Sequence, residues 1–382
     1  MKKLLTIFVL LLSLFILLPS PTSYASSIEF DAKACILLDY HTGKVLYEKN
    51  SDEKYPVASI VKLMTILITL ENIDNGTISI DDKVIASSNA SSMGGSQVFI
   101  EEGGEYTIGD ILKSVIMSSA NDGSVVLAET IAGSEENFAI MMNKKAVELG
   151  LKNTNYSNCT GLPTTNQYSS ARDCAIILKE VSKYDLYHKY SGVWIDKLSH
   201  PKGRETELVN TNKLIRYYKG CIGGKTGSTD EAGYCLSAVA QRGEMKLIAV
   251  VLGTNSSKER FAQTSKLLDY GFNNFENKKV VKCNDNIGYD IEVRGGKNKV
   301  VKGLFKEDFY YICNKTNKDE IVTEIKINDN IKAPIRAGEK IGVVYIAISG
   351  RVVGEIDIVA ESDVLKVSIF DNLDKIKNNF FL

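Results

Sequence analysis

The sequence predicts a mixed α/β domain, an antiparallel sheet flanked by helices, followed by a small all-β domain. Three observations carry that prediction. Residues 59–71 are apolar nearly all round, as expected of a helix buried in a core, and helical patterns also fit residues 108–132, 135–149 and 170–182. Two β-rich runs, one ending at Thr226 and one over residues 234–240, lead into a third over residues 246–252, the order of adjacent antiparallel strands. Beyond Asn273 the texture changes to short β-prone runs separated by Gly, Asn and Lys. With 382 residues, 44% hydrophobic and 24% charged, the chain can bury sizeable cores and has the length of two or three domains.

At the amino terminus, Lys2 and Lys3 precede an apolar run over residues 4–18, then Pro19, Pro21 and the small-x-small triplet Ser23-Tyr24-Ala25. This is the pattern of a signal peptide, residues 1–25, cut after Ala25. The competing reading, an uncleaved anchor, needs a longer apolar run. No cysteine lies near the junction, so a lipoprotein anchor is not indicated. Next, residues 34–38 and 45–47 flank His41-Thr42-Gly43, which has hairpin turn chemistry. The helical and strand runs follow, and residues 258–275, with Phe261, Leu267, Leu268, Phe272 and Phe275, close a first domain of residues 26–276 as a helix. Asn277-Lys278-Lys279 reads as a polar link. Short strands at 289–293, 309–313, 321–327 and 341–348 then define a β-rich domain of residues 277–360. In the last segment, residues 361–382, Leu365, Ile369, Leu373, Ile376 and Phe380 fall on one helical face. That face can lie on a membrane surface or pack on its own domain. Asp363, Asp371 and Asp374 cancel Lys366, Lys375 and Lys377, which removes electrostatic attraction to anionic lipid.

Lys and Arg total 46 against 47 Asp and Glu, a net charge of −1, so no broad basic face exists for nucleic acid. Three histidines (His41, His188, His200) without H-x-x-x-H or Cys/His clustering argue against a built-in zinc site. The seven cysteines are odd in number, widely spaced and without C-x-x-C, so they cannot all pair within one chain, and most read as small buried apolar residues. Cys221 and Cys235 flank the expected hairpin, where strand register decides whether they can pair.

Three short motifs carry chemistry. Ser59-Ile60-Val61-Lys62 opens the buried helix and puts a hydroxyl and an amine about one turn apart on one face. A serine becomes a nucleophile when a base takes its proton, and a lysine can serve when burial and a nearby cation lower its pKa. A helix amino terminus adds free N–H groups beside a developing oxyanion. The same spacing recurs at Ser51/Lys54 and Ser199/Lys202, in polar loop sequence. Ser119-Ala120-Asn121, expected near the middle of helix 108–132, pairs a hydroxyl and a carboxamide able to relay a proton and hold a peptide group. Ser87-Ser88-Asn89 also fits S-x-N, a triplet that commonly caps helices. Lys225-Thr226-Gly227, at a strand end and followed by Ser228, offers a cation, a hydroxyl and close backbone approach to an extended substrate.

Taken together and in this order, S-x-x-K, S-x-N and K-T-G are the motif set shared by class A β-lactamases and penicillin-binding proteins. The likeness extends to Tyr55-Pro56-Val57-Ala58-Ser59 through Thr65, Gly94-Gly95-Ser96, Ser119-Ala120-Asn121-Asp122, Tyr168 to Asp173, Asn210 to Leu214, and Gly224-Lys225-Thr226-Gly227 with Ala232-Gly233-Tyr234. On these residues the chain resembles the low-molecular-mass penicillin-binding proteins, the serine D-alanyl-D-alanine carboxypeptidases, over residues 28–276. Ala333-Pro334-Ile335 with Gly338, Gly342 and Gly354 resembles their β-rich C-terminal domain. Ala120 replaces the Asp of S-D-N, as small residues do in carboxypeptidases of this family.

The resemblance implies a penicillin-binding/serine β-lactamase-like catalytic fold and a hydrolase that needs no cofactor and no metal. Its substrate would be a peptidoglycan stem peptide ending in D-Ala-D-Ala, and β-lactam antibiotics would acylate it as inhibitors. Ser59 would attack the carbonyl between the two D-alanines, with Lys62 as general base. Ser119 would relay a proton to the leaving nitrogen, and Asn121 would position substrate and Lys62. Lys225 and Thr226 would hold the terminal carboxylate, and the N–H groups of Ser59 and Ser228 would form the oxyanion hole. No E-x-x-L-N segment of class A β-lactamases occurs, the nearest approach being Glu205 to Asn210, so slow penicillin release is expected. A D,D-endopeptidase would use the same residues, and a non-catalytic penicillin-binding sensor or scaffold is a third reading. Secretion follows from the signal peptide, and a peripheral place on the outer face of the cell membrane is the reading in which the tail lies on that surface.

Overall fold

A computed structural model describes residues 29–371, so the signal-peptide reading of residues 1–25 and the tail reading beyond Asp371 lie outside the described residues. The chain enters the fold through strands β1 (Ala34–Asp39) and β2 (Val45–Lys49). Their turn forms as expected: Asp39 Oδ2 accepts from the Thr42 N–H at 2.8 Å and from its hydroxyl at 2.7 Å, and Gly43 supplies a φ of +70°. Two small hairpins follow, β3 (Lys83–Ile85) with β4 (Glu105–Thr107) and β5 (Ile195–Ser199) with β6 (Glu205–Val209). Strands β7 (Cys221–Thr229), β8 (Gly233–Arg242) and β9 (Met245–Thr254) complete an antiparallel sheet of order β2-β1-β9-β8-β7. The K-T-G triplet therefore lies on an edge strand. Register places Cys235 opposite Gly227 and Cys221 opposite Ala240, so these two cysteines do not face each other, and all seven cysteines are free thiols.

Alternation along the strands buries both faces of the sheet. On one, Leu37 and Leu247 pack under Gly271 of helix α6 (Ser257–Asn274), numbered after the five helices below. On the other, Ile36, Leu38, Ile248 and Val250 join the main core with helices α1 (Lys62–Asp74) and α5 (Ala171–Val181). The predicted helix 108–132 is two helices, α2 (Ile108–Ser118) and α3 (Asn121–Ala132), because Ser119 adopts a left-handed φ of 62° that ends the first. The chain then forms α4 (Glu135–Glu148). Side-chain caps set helix starts at Thr107, Ser134, Ser170 and Ser256. Ser87 likewise caps a short helix by accepting from the Ala90 N–H at 3.0 Å, so the Ser87-Ser88-Asn89 triplet has a local structural role.

The Asn277-Lys278-Lys279 stretch is not a link. It lies inside strand β10 (Phe275–Val281), which pairs with β13 (Phe309–Asn314). A five-stranded sheet of order β11-β12-β16-β15-β14 completes the β-rich part, from β11 (Asn286–Glu292), β12 (Val300–Phe305), β14 (Ile321–Ile327), β15 (Lys340–Ile348) and β16 (Arg351–Ala360). Its core gathers Ile291, Val301, Ile341, Val344, Ile346 and Ile358. Gly354 is required there, since a Cβ would lie 2.3 Å from the Phe309 ring. The predicted terminal helix is shorter at its start than expected: Val364 and Ile335 exchange backbone hydrogen bonds, and Lys366 bridges to Gly296, so this stretch is extended. No helix among the described residues is long and apolar enough to cross a membrane.

Candidate active site

The three motifs meet where β7 passes the start of α1. Ser59 lies in a short 3-10 turn, Ala58–Val61, and Lys62 is the first residue of α1, so the i to i+3 spacing brings the pair together one turn before the regular helix. Ala58 is held at a φ of 48°, a costly conformation for a residue with a Cβ, immediately before the serine. Two glycines fit around this turn. A Cβ on Gly227 would lie 2.6 Å from the Val57 carbonyl oxygen and 3.0 Å from the Ser59 nitrogen. On Gly161, whose φ is +81°, it would lie 2.2 Å from the Ala58 carbonyl oxygen. Edge strand and loop thus press on the turn from two sides.

Lys62 is wholly buried, and Lys225 is 1% exposed. The Lys62 ammonium nitrogen lies 3.1 Å from Ser59 Oγ and 2.6 Å from Asn121 Oδ1, and it also bonds the Thr160 carbonyl. Across the cleft, Lys225 Nζ donates to Ser119 Oγ at 2.7 Å and to the Thr226 carbonyl at 3.1 Å. Thus Ser59, Lys62 and Asn121 form one hydrogen-bonded group, and Lys225 with Ser119 forms a second beside it. Thr226 is buried beside them, and Ser228 is exposed one residue past Gly227. Burial brings the Lys62 pKa down to about 7, against the charge of Asp122 and the Cys159 thiol, which raise it. Burial also pushes Lys225 well below the ordinary lysine range, and the charges of Lys62 and Arg260 push it further in the same direction.

Neutral Lys62 has two hydrogens and one lone pair. Asn121 Oδ1 and the Thr160 carbonyl can only accept, so both hydrogens are engaged there and the lone pair is left for the Ser59 hydroxyl. That is the arrangement of a base aimed at a nucleophile. On the other side, Ser119 Oγ accepts from Lys225 and keeps its own hydrogen for a group in the cleft.

Three contributors escaped the sequence reading. The Thr160 carbonyl sits in a loop tied by Asn158 Oδ1, which accepts from the Gly161 N–H at 2.7 Å, and backbone groups leave no compositional trace. Asp122 accepts backbone N–H bonds from Val98 and Ile100. Arg260, nearly buried, donates to the Gly227 carbonyl at 3.2 Å, while its Nε has no hydrogen-bond partner among the described residues. Its position was readable: Arg260, Thr264, Leu267 and Gly271 share the buried stripe of α6, where a cation is out of place. The motif-like Glu205 and Glu207 lie exposed on β6, Glu205 in an ion pair with Lys197.

Comparison with known proteins identifies the family and the fold. Residues 21–256 match the family described as D-alanyl-D-alanine carboxypeptidase, and residues 275–366 match the penicillin-binding protein 5 C-terminal domain. The chain is 42% identical to the D-alanyl-D-alanine carboxypeptidase DacF of Bacillus subtilis, over 98% of each chain. Its fold is similar to penicillin binding protein 5 from Haemophilus influenzae, at 31% identity and a TM-score of 0.71, covering 89% of this chain and 99% of that one. It is also similar to the peptidoglycan synthesis regulatory factor (PBP3) from Streptococcus pneumoniae, at 27% identity and a TM-score of 0.73, covering 88% of this chain and 100% of that one.

Proposed function

The chain belongs to the D-alanyl-D-alanine carboxypeptidase family and is a hydrolase, and from that premise we propose that it removes the terminal D-alanine from peptidoglycan pentapeptide stems through an acyl-enzyme on Ser59. The observation that carries this reading is the Lys62 amine, 3.1 Å from Ser59 Oγ with its other two directions held by acceptor-only oxygens. Lys62 takes the Ser59 proton as Oγ attacks the carbonyl carbon between the two D-alanines. The N–H groups of Ser59 and Ser228, on either side of the Gly227 contact, receive the oxyanion. The C–N bond breaks as Ser119 gives its proton to the leaving nitrogen, and the proton held by Lys62 restores Ser119. Water then cleaves the Ser59 ester and regenerates the hydroxyl. Lys225 and Thr226 hold the terminal carboxylate, and Asn121 orients Lys62 and the substrate amide. A β-lactam enters the same path and leaves a long-lived adduct on Ser59, a reading supported by the lack of an E-x-x-L-N segment, whose nearest approach, Glu205 and Glu207, lies exposed on β6.

The enzyme acts outside the cytoplasm, after removal of residues 1–25. Residues 26–276 carry the catalysis and residues 277–360 support them; within residues 361–382, Val364 packs on its own domain, and the exposed side chains of Leu365, Ile369 and Phe370 support contact with the membrane surface. The test is free D-alanine release from a muropeptide pentapeptide by residues 26–382, with Ser59→Ala as control and a cross-linked dimer as competing substrate. Release that vanishes in the variant is expected. Cleavage of the dimer alone moves the assignment to a D,D-endopeptidase, and no Ser59-dependent product from either overturns the catalytic reading.

A further inference from the structure

The steps above give the buried acid beside Asn121 no part. Asp122 is wholly buried at the second residue of α3, and no ion pair among the described residues engages it. Its carboxylate accepts from the Val98 N–H at 3.0 Å, from the Ile100 N–H at 3.1 Å and from the Gly123 N–H at 2.9 Å. A carboxylate in a first helical turn also suits the helix dipole. These bonds fasten the loop of residues 94–100 onto the start of α3. The same loop returns two carbonyls to Asn121: Gly94 O accepts from Nδ2 at 2.7 Å, and Ser96 O accepts from the backbone N–H at 2.7 Å. Gly95 lets the loop pass so close, since a Cβ there would lie 2.8 Å from Asn121 Nδ2.

A carboxamide has two ends of nearly equal shape, one accepting and one donating, and only its surroundings decide which way it faces. We propose that Asp122 is a positioning residue for acylation: by clamping the 94–100 loop it fixes the Asn121 amide with Oδ1 toward Lys62, and so leaves the Lys62 lone pair free for the Ser59 proton. This rests on the reading of Lys62 as the base. Were Gly94 O withdrawn, the amide could turn its NH2 toward Lys62. That donor would take the lone pair, and the amine would then offer a hydrogen to Ser59 instead of accepting one. Asp122 has a second, electrostatic effect, because its charge supports the protonated form of Lys62 against burial, while Lys225 faces Lys62 as a like charge and Cys159 as a thiol.

The experiment is stopped-flow acylation by penicillin, on the full exported chain, for Asp122→Asn, Asn121→Ala, the double variant and Lys62→Ala. Asp122→Asn is expected to slow acylation by about 30-fold or more while non-covalent binding changes by less than about threefold. In the Asn121→Ala background it should add less than about threefold, because the group it positions is gone. The acid limb of its pH profile should move to lower pH, since Lys62 loses a neighbouring negative charge. Acylation within about threefold of wild type, or additive losses in the double variant, overturns the proposal. If Asp122→Asn does not fold, Gly95→Ala tests the same contact from the loop, and a folded Gly95→Ala protein with the wild-type rate overturns it. Normal acylation by Lys62→Ala instead defeats the base reading, which keeps the two failures apart.

Discussion

Replacing Lys62 by arginine keeps a cation and hydrogen-bond donors at the position but removes any capacity to act as a base near neutral pH. Burial lowers the Lys62 pKa from an ordinary 10.5 to about 7, so a substantial fraction of the molecules holds a neutral amine near neutral pH. An unshifted lysine is neutral in roughly one molecule in three thousand at that pH, so burial raises the fraction of competent base by about three orders of magnitude. The acylation rate, followed from pH 5 to 9 as D-alanine release or penicillin capture, should climb about tenfold per pH unit on the acid side and level off above about 7. Lys62→Arg should lower it by about 10²- to 10⁴-fold and abolish the limb. Folding should report the same group. The native state binds fewer protons than the unfolded chain between about 7 and 10.5, so stability should rise with pH across that window, with the burial penalty fully present below it. Lys225, shifted in the same direction, adds to the trend. A rate that stays flat between pH 5.5 and 8.5, or an acid limb that survives in Lys62→Arg, would refute the reasoning.

Three further outcomes follow from named contacts. Gly161→Ala combines left-handed strain with a Cβ 2.2 Å from the Ala58 carbonyl oxygen, and should cost about 2–4 kcal/mol in urea unfolding and slow acylation, because the Thr160 carbonyl and Ser59 move together. Ser119→Ala removes the acceptor 2.7 Å from Lys225 and, on the proposed mechanism, the donor to the leaving nitrogen, and should cut D-alanine release by about 10²-fold at saturating substrate. Tyr310→Ala loses the ring stacked 3.9 Å from His41, and should cost about 1 kcal/mol, visible as faster limited proteolysis around β10.

The sequence was most legible where chemistry and periodicity coincide. The all-round apolar run after Ser59 announced α1, and the three β-rich runs announced β7, β8 and β9, so the approach of S-x-x-K to K-T-G was foreseeable. The break at Ser119 was not, since Val115-Ile116-Met117 continues helically into Val125-Val126-Leu127 and a left-handed serine carries no periodic mark. Asn277-Lys278-Lys279 reads as a link because three polar residues hide a strand whose partner, β13, is more than thirty residues away in the register pairing of Asn277 with Ile312. The missing parts of the site share one cause. Thr160 contributes a carbonyl, Asp122 works by way of backbone N–H groups, and Arg260 is brought to Gly227 only by packing of α6 on the sheet. The roles of Thr160 and Asp122 belong to tertiary geometry and to no local pattern, and for Arg260 the local pattern shows a misplaced cation but not its partner.

The central claim is that Ser59 is the acylated nucleophile served by Lys62. Its most direct test is mass spectrometry of the intact chain after exposure to benzylpenicillin, followed by peptide mapping, with Ser59→Ala alongside. One long-lived penicilloyl group on the peptide containing Ser59, absent from the variant, is the predicted result. An adduct on another residue, or the same adduct in Ser59→Ala, would contradict the account.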